Sequence, residues 1–314
     1  MSSRHPFAKV AVVGAGLIGG SVARRLHGAG LDVVVVDPDP QTRAGAAAAG
    51  LAVAASLGEV GADRDLVVVA TPLDALPAVL AECALAAPGA VVVDVGSVKV
   101  AAARAADAAG LAGRYVGAHP MAGTEQSGFA HSFADLLVGV RWAVVRGDGP
   151  VADVVRFVVD AFAATAVVLD AAEHDRAVAL VSHAPHVLAN ALLELTGRGG
   201  EPSAAHLAAG SFGDGTRVAG RNAERTRNML ADNAEALAGV LEDLGELIAA
   251  YRAELGDPAV LGARLQSVVD GAAAVRRPSA DWRPCDDLDD VLASTGPVLI
   301  RRVEDRLEWA PVDR

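Results

Sequence analysis

The apolar run Val10-Ala11-Val12-Val13 leads directly into Gly14-Ala15-Gly16-Leu17-Ile18-Gly19, and this junction constrains the fold more than any other stretch of the 314-residue chain. A short β-branched run bounded by glycine has the pattern of a buried strand. The glycines behind it, spaced G-x-G-x-x-G, each answer a separate need: a tight turn, close approach of a pyrophosphate to the backbone, and close packing of the next helix on the strand. A helix starting there offers free N–H groups and a partial positive charge to phosphates. A glycine turn serving packing alone is the alternative. Its place between a strand and a helix favours the dinucleotide reading, as does Asp37, which ends the next apolar run, Val33–Val36. That is about the 20-residue spacing at which a carboxylate bonds the adenosine ribose hydroxyls. The same carboxylate repels a 2′-phosphate, so NAD is expected rather than NADP, with Arg43 counting the other way.

The apolar runs continue at Leu66–Ala70, Val91–Val93, Tyr115–Val116, Trp142–Val145 and Ala166–Leu169. Between them, Gly19–Gly30, Asp74–Ala86, Val98–Ala109 and Val151–Ala163 are long enough for crossover helices. Near-continuous apolar strands suit a parallel sheet covered on both faces, so an α/β Rossmann-type doubly wound sheet is expected over residues 1–169. After Asp170 the strand signals stop. Leu237, Val240, Leu241, Leu244, Leu247, Ile248 and Tyr251 recur at helical spacing, and an all-helical C-terminal domain is expected over 170–275, suited to a subunit interface. Residues 276–314 read as a peripheral tail, with Val298–Val303 as a late edge strand. A net charge of −12 argues against nucleic acid or an anionic membrane as partner. Two cysteines, Cys83 and Cys285, give no disulfide framework. With no signal-peptide pattern, and with the apolar run Val10–Ala23 broken by glycines and too short to span a bilayer, a cytoplasmic protein is expected.

Ligands of open α/β sheets sit at the C-terminal ends of the strands. Thr71-Pro72 follows the fourth run and is expected as a wall on the nicotinamide side, or else as a plain strand-ending turn. Ser97 lies in the loop after the Val91–Val93 run, and His119 follows Tyr115–Val116, with Pro120 keeping it out of a helix. An imidazole titrating near pH 6.5 suits proton exchange at neutral pH; surface exposure or a backbone hydrogen bond is the bland reading of His119. In the helical half, His183 and His186 share one helix face, and Pro185 removes the hydrogen bond to the Val181 carbonyl, bending or opening the helix. A substrate-contacting pair is better motivated than a metal pair, because no third ligand is near; no metal is expected. Arg217 ends the glycine-rich stretch Gly210-Ser-Phe-Gly-Asp-Gly-Thr216 as an expected loop. It can grip a carboxylate in bidentate fashion, or pair with Asp214.

Taken in order, Gly14-x-Gly-Leu-Ile-Gly-Gly-Ser21, Asp94-x-x-Ser97-x-Lys99, His119-Pro-Met-Ala-Gly-Thr-Glu125, Ser182-His-x-Pro-His186 and Asp214-x-Thr-Arg217 resemble the prephenate and arogenate dehydrogenases of tyrosine biosynthesis. The resemblance covers roughly Val10 to Tyr251. It implies an NAD-dependent oxidative decarboxylation of prephenate to 4-hydroxyphenylpyruvate, in which His119 accepts the proton of the ring hydroxyl with help from Ser97. Arg217 would bind a substrate carboxylate, His186 and His183 would contact the substrate, and Thr124 and Glu125 would border the pocket. Gly14, Gly16, Leu17, Ile18, Gly19, Asp37, Thr71 and Pro72 would hold the cofactor, and a homodimer through the helical domain is implied. Several relatives carry a tryptophan shortly after the arginine segment, where this chain has Arg225-Thr226-Arg227. The alternatives are an arogenate or amino-substituted analogue as substrate, another hydroxyacid dehydrogenase, and a non-catalytic NAD-sensing protein. The last two are disfavoured by the lack of a lysine after Lys99 and by the absence of a DNA-binding segment.

Overall fold

In a computed structural model, the strands β1 (Lys9–Val13), β2 (Asp32–Val36), β3 (Ala52–Ala54), β4 (Leu66–Val69), β5 (Val91–Asp94) and β6 (Tyr115–Pro120) lie parallel in the order β3-β2-β1-β4-β5-β6. The structure describes residues 6–123, 126–198, 203–220, 223–276 and 278–312. Successive strand residues alternate between two apolar layers. Val10, Val12, Val33, Val35, Leu66 and Val68 pack on one face. Ala11, Val13, Val34, Val36, Val67 and Val69 pack on the other. Each fully buried valine or leucine stabilises by about 1.5–3 kcal/mol, which is why these strands carry apolar residues at both parities rather than at every second position.

The helices α1 (Leu17–Gly28), α2 (Pro40–Ala48), α3 (Leu76–Ala86) and α4 (Val100–Ala108) are the crossovers. Asp39 caps α2 by accepting hydrogen bonds from the backbone N–H groups of Gln41 and Thr42 at 3.2 and 2.9 Å. Strand order reverses between β1 and β4, so the loops leaving these strands diverge and open a crevice at their C-terminal ends.

Beyond β6 the sheet changes character. Strand β7 (Arg141–Val145) runs antiparallel to β6, then helix α5 (Val151–Phe162) leads to β8 (Thr165–Leu169), parallel to β7. The antiparallel neighbour lengthens β6: His119 pairs with Ala143 and Pro120 with Trp142. His119 therefore stands at the end of a strand, not on the loop expected from the sequence.

Helix α6 (Ala171–Val178) follows β8. The remaining described elements divide between two units, Met1–His174 with Ala280–Arg314, and Asp175–Ser279. The second unit is helical: a π-helical turn over Ala179–His183, then α7 (Ala184–Gly197), α8 (Ala204–Leu207), α9 (Gly210–Thr216), α10 (Ala223–Asp232), α11 (Ala234–Glu254) and α12 (Pro258–Arg276). Its small core gathers Ala179, Ala184, Leu237 and Val240. Much of its apolar surface stays open, including Leu180, Val181, Leu195, Ile248 and Val269.

The C-terminal stretch, expected as a peripheral tail, extends the first unit's sheet. Strand β9 (Arg283–Pro284), helix α13 (Leu288–Leu292), β10 (Val298–Val303) and β11 (Arg306–Pro311) add to β8 in the order β8-β10-β11-β9, all antiparallel. A bare β8 would leave a row of backbone donors and acceptors unpaired; β10 takes them up, and Ile300 is wholly buried in the main core. Arg302 forms an ion pair with Asp160 of α5. Val298–Val303 is thus an inner strand, and the two-residue β9 is the edge.

Cys83 is buried on α3, and burial pushes its thiol up to about 12. Cys285 is partly exposed, and burial raises its thiol as well. The thiolate is the reactive form, so native protein treated with iodoacetamide at pH 8 should be alkylated only slowly, at Cys285, with Cys83 modified only in denaturant. Peptide mapping of the two states checks this; rapid native labelling of Cys83 would contradict its burial.

Candidate active site

The glycine turn sits where the strand order reverses. Gly14 has φ +86°, and a Cβ there would lie 2.8 Å from the Ala70 carbonyl oxygen of the neighbouring strand exit. A Cβ on Gly19 would come within 1.9 Å of the Gly14 carbonyl oxygen, so the third glycine lets α1 press against the turn. A Cβ on Gly16 would meet nothing within 4 Å. Gly16 is the N-cap of α1 without a side-chain acceptor, and the helix has no acid in its first turn. The backbone N–H groups of Leu17 and Ile18 thus begin a helix over open space, as a phosphate cradle requires.

Asp37 is tied into this turn. One carboxylate oxygen accepts from the Ala15 N–H at 2.8 Å and the other from the Asp39 N–H at 2.9 Å. The carboxylate is thereby held at the edge of the cradle with lone pairs to spare for hydroxyl donors. Arg43 donates to the backbone carbonyls of Asp37 and Pro38 at 2.7 and 2.8 Å, which directs its guanidinium to the main chain. Thr71, beside Gly14, buries its Oγ1 without a hydrogen-bond partner among the described residues. An open helix start, a fixed carboxylate and an orphaned hydroxyl fit a dinucleotide.

The next strand exits hold a buried polar cluster. Asp94 and Lys99 are each 1% exposed and ion-paired. The Tyr115 hydroxyl donates to the second Asp94 oxygen at 2.5 Å, and the Gly96 N–H donates to the first at 2.9 Å. Lys99 also donates to the carbonyl of Ala118 at 2.9 Å, immediately before His119. Gly117 leaves the room for this, since a Cβ there would lie 3.1 Å from Lys99 Cδ and 3.4 Å from the Tyr115 hydroxyl. Ser97 is exposed on the loop between Asp94 and Lys99.

His119 is half-buried, and its Nδ1 lies 3.0 Å from Nε2 of His174. Sequence reading missed His174. Its neighbours Glu173 and Asp175 and its helical position make it resemble a solvated surface residue, and only the approach of the two rings in the fold reveals the pair. Ser97, expected to assist His119, makes no side-chain hydrogen bond with a described residue. Thr124 and Glu125, expected at the pocket border, lie outside the described residues.

The other expected residues belong to the second unit. Pro185 does open the helix: Ala179–His183 forms a π turn and α7 restarts at Ala184, with the proline in its first turn where a missing N–H costs nothing. Such turns are frequent at functional sites. His186 donates from Nδ1 to the Ser182 carbonyl at 2.9 Å, because a carbonyl can only accept, and this leaves Nε2 as an acceptor. His183 is 1% exposed, with Nδ1 3.2 Å from the Asn233 amide nitrogen, which also donates to the Asp175 carbonyl at 2.8 Å. His183 is therefore an internal hydrogen-bonding residue with almost no surface to offer a ligand. The segment before Arg217 is the helix α9 rather than a loop, stitched by Thr216 Oγ1 to the Phe212 carbonyl at 2.7 Å. Arg217 follows it, exposed and without the Asp214 ion pair considered above.

A dinucleotide cradle at the switch point of a doubly wound sheet, with an imidazole on a strand exit, defines a nucleotide-dependent oxidoreductase. Residues 22–168 match the family described as prephenate dehydrogenase, nucleotide-binding domain, and residues 170–257 match prephenate dehydrogenase, dimerization domain. A cyclohexadienyl dehydrogenase of Zymomonas mobilis is 31% identical over 242 residues, covering 74% of this chain and 83% of its own. The arogenate dehydrogenase of Synechocystis superposes with a TM-score of 0.75 at 26% identity, covering 85% and 99% of the two chains. A prephenate dehydrogenase of A. aeolicus, in complex with hydroxyphenyl propionate and NAD+, superposes with a TM-score of 0.77 at 24% identity, covering 85% and 98%. The chain belongs to the prephenate dehydrogenase family.

The buried cluster makes a stability prediction. Lys99→Met leaves the Asp94 carboxylate buried without its cation, which should cost about 3–5 kcal/mol. Tyr115→Phe removes one hydrogen bond to a charged group and should cost about 1.5–3 kcal/mol. Urea unfolding of the two variants checks the ranking; a Lys99→Met protein as stable as the parent would mean the pair is solvated.

Proposed function

We propose that the chain is an NAD-dependent dehydrogenase that oxidises prephenate to 4-hydroxyphenylpyruvate with loss of carbon dioxide, in the cytoplasm and as a homodimer. The observation that carries the reading is His119, fixed on a strand end at the C-terminal edge of a sheet whose switch point holds the glycine cradle. NAD bound in that cradle supplies the hydride acceptor. The A. aeolicus relative holds NAD+, and the Asp37 carboxylate with Arg43 turned to the backbone supports NAD over NADP.

In this reading Nε2 of His119 takes the proton of the ring hydroxyl as hydride leaves the same carbon, giving a carbonyl. The bond to the ring carboxylate then breaks. Its electron pair passes through the dienone to the carbonyl oxygen, carbon dioxide leaves, and the resulting phenolate takes back the proton held by His119; the ring is now an aromatic phenol, which makes the step effectively irreversible. Ser97, exposed on the neighbouring strand exit, is assigned to the substrate hydroxyl. Arg217, with no competing carboxylate partner among the described residues, is assigned to a substrate carboxylate. His186 presents Nε2 as a polar contact. We assign no direct substrate contact to His183.

Arogenate is the second reading, favoured by the likeness to the Synechocystis arogenate dehydrogenase and by the Zymomonas mobilis cyclohexadienyl enzyme. The two substrates differ at the side chain, keto against amino, and leave the ring chemistry unchanged. For assembly, Ala171–Gly197 is long and apolar enough by composition to cross a membrane. It lies in the segment that matches a dimerization domain, which supports a second copy of the chain as the cover for its exposed leucines.

The test is NADH formation at 340 nm with prephenate or arogenate, and NAD or NADP, in parallel. Prephenate with NAD should give the fastest rate and 4-hydroxyphenylpyruvate as product. A faster rate on arogenate moves the assignment to that substrate, and no reaction with either refutes the reading. His119→Asn should bind NAD normally while kcat falls about 10²–10⁴-fold. Arg217→Ala should raise KM about 10–100-fold with a smaller change in kcat, from the loss of one charge-assisted contact. An unchanged KM would mean that Arg217 does not hold the carboxylate.

A further inference from the structure

We infer that His174 is the positioning residue of the proposed base, holding His119 with hydrogen on Nδ1 so that Nε2 carries the lone pair. The inference rests on the reading of His119 as the base. His174 is 2% exposed, whereas His119 is half-buried. The two rings meet edge-to-face, centroids 5.2 Å apart at 64°, with Nδ1 of His119 and Nε2 of His174 3.0 Å apart. At that separation one nitrogen must donate and the other accept, because two lone pairs or two N–H groups would repel. If His174 donated, the hydrogen of neutral His119 would sit on Nε2 and the base would be blocked. Donation from His119 Nδ1 leaves Nε2 basic, and the same bond strengthens when His119 takes up a proton and becomes cationic.

The backbone makes this contact a fixed one. Strand β8 ends at Leu169, and Asp170 starts α6: its N–H donates to Glu173 Oε2 at 3.1 Å, the glutamate half of a capping box, and the His174 N–H makes an intrahelical bond to the Asp170 carbonyl at 2.9 Å. His174 is thus locked in the first turn of a helix that leaves the sheet two strands from β6. On the other side, β6 is pinned by Lys99 at the Ala118 carbonyl and by pairing of His119 with Ala143. Both partners of the imidazole pair are set by main-chain geometry, so the ring orientation of His119 does not depend on a bound substrate. His186 obtains the same tautomer from a backbone carbonyl; His119, on a strand whose carbonyls are engaged in the sheet, obtains it from a second imidazole.

The experiment compares the parent protein with His174→Ala and His174→Gln by long-range 15N–1H correlation of the imidazoles and by steady-state kinetics. The His119 signals are assigned by their loss in His119→Asn. The parent should show His119 protonated at Nδ1. In His174→Ala the ring should move toward the Nε2–H form, with kcat falling about 10–100-fold and KM changing less than about twofold, part of the full general-base contribution. A glutamine side chain offers a carbonyl oxygen to Nδ1–H, so His174→Gln should recover most of the tautomer and of kcat. Thermal melts of both variants separate this from unfolding, which would lower the active fraction without altering the His119 tautomer of the folded protein. A parent spectrum with His119 protonated at Nε2, or a tautomer and kcat unmoved in His174→Ala, overturns the proposal. If the parent oxidises neither prephenate nor arogenate, the functional reading fails on its own, and the spectra still decide whether His174 sets the His119 tautomer.

Discussion

Lys99 carries a charge into a place closed to solvent, and the geometry of the strand exits around it follows from how that charge is answered. Its ammonium meets Asp94, which ends β5, and the carbonyl of Ala118, which precedes His119 on β6. An isolated buried ion costs several kcal/mol, and partners in good geometry must offset it. Asp94, Tyr115 and the Gly96 N–H together complete the set. One ion pair therefore ties two adjacent strand ends and the loop between them into a single arrangement. Ser97 is left on the outside of that loop and His119 on the end of the stiffened strand.

The sheet itself explains why the chemistry gathers there. Both faces of its parallel part are sealed by apolar layers, so a polar side chain has water or a ligand within reach only where strands end. At the reversal between β1 and β4 the two exits part, and glycine is required because backbone approaches backbone: Gly19 against Gly14, Gly14 against Ala70. On the far side the antiparallel β7 and the C-terminal strands continue the same sheet. Their contribution to the site is indirect but physical: β7 pins His119, and β10 closes the open edge of β8, the strand from which α6 and His174 depart.

The helical unit follows a different logic. Its described core is small and much of its apolar surface is exposed, and it overlaps the segment that matches a dimerization domain. Within it, the π turn over Ala179–His183 precedes the helix that carries Pro185 in its first turn, and the Ser182 carbonyl in that turn accepts from His186 Nδ1.

Local chemistry made much of this legible in the sequence. The glycine spacing after a β-branched run, Asp37 at its distance, the apolar strands and the break at Pro185 all depend on contacts between near neighbours in the chain, and each specified its own structure. The features that escaped depend on partners far away in sequence. His174 lies 55 residues from His119, and no periodicity links them. Ser97 was expected on His119, yet its loop is held by Asp94 and Lys99 instead. His183 was expected to face a ligand but was claimed by Asn233, 50 residues on. The tail was read as peripheral because short polar strands give a weak signal, whereas an unpaired β8 edge would recruit any chain able to pair with it. The sequence by itself determined the class of fold, the nucleotide cradle and the residue types of the proposed chemistry, because those are fixed by backbone sterics and hydrophobic period. Only the tertiary structure decided that His174 meets Nδ1 of His119 and how far the sheet extends, because buried polar groups and strand edges are satisfied by whatever the fold brings to them.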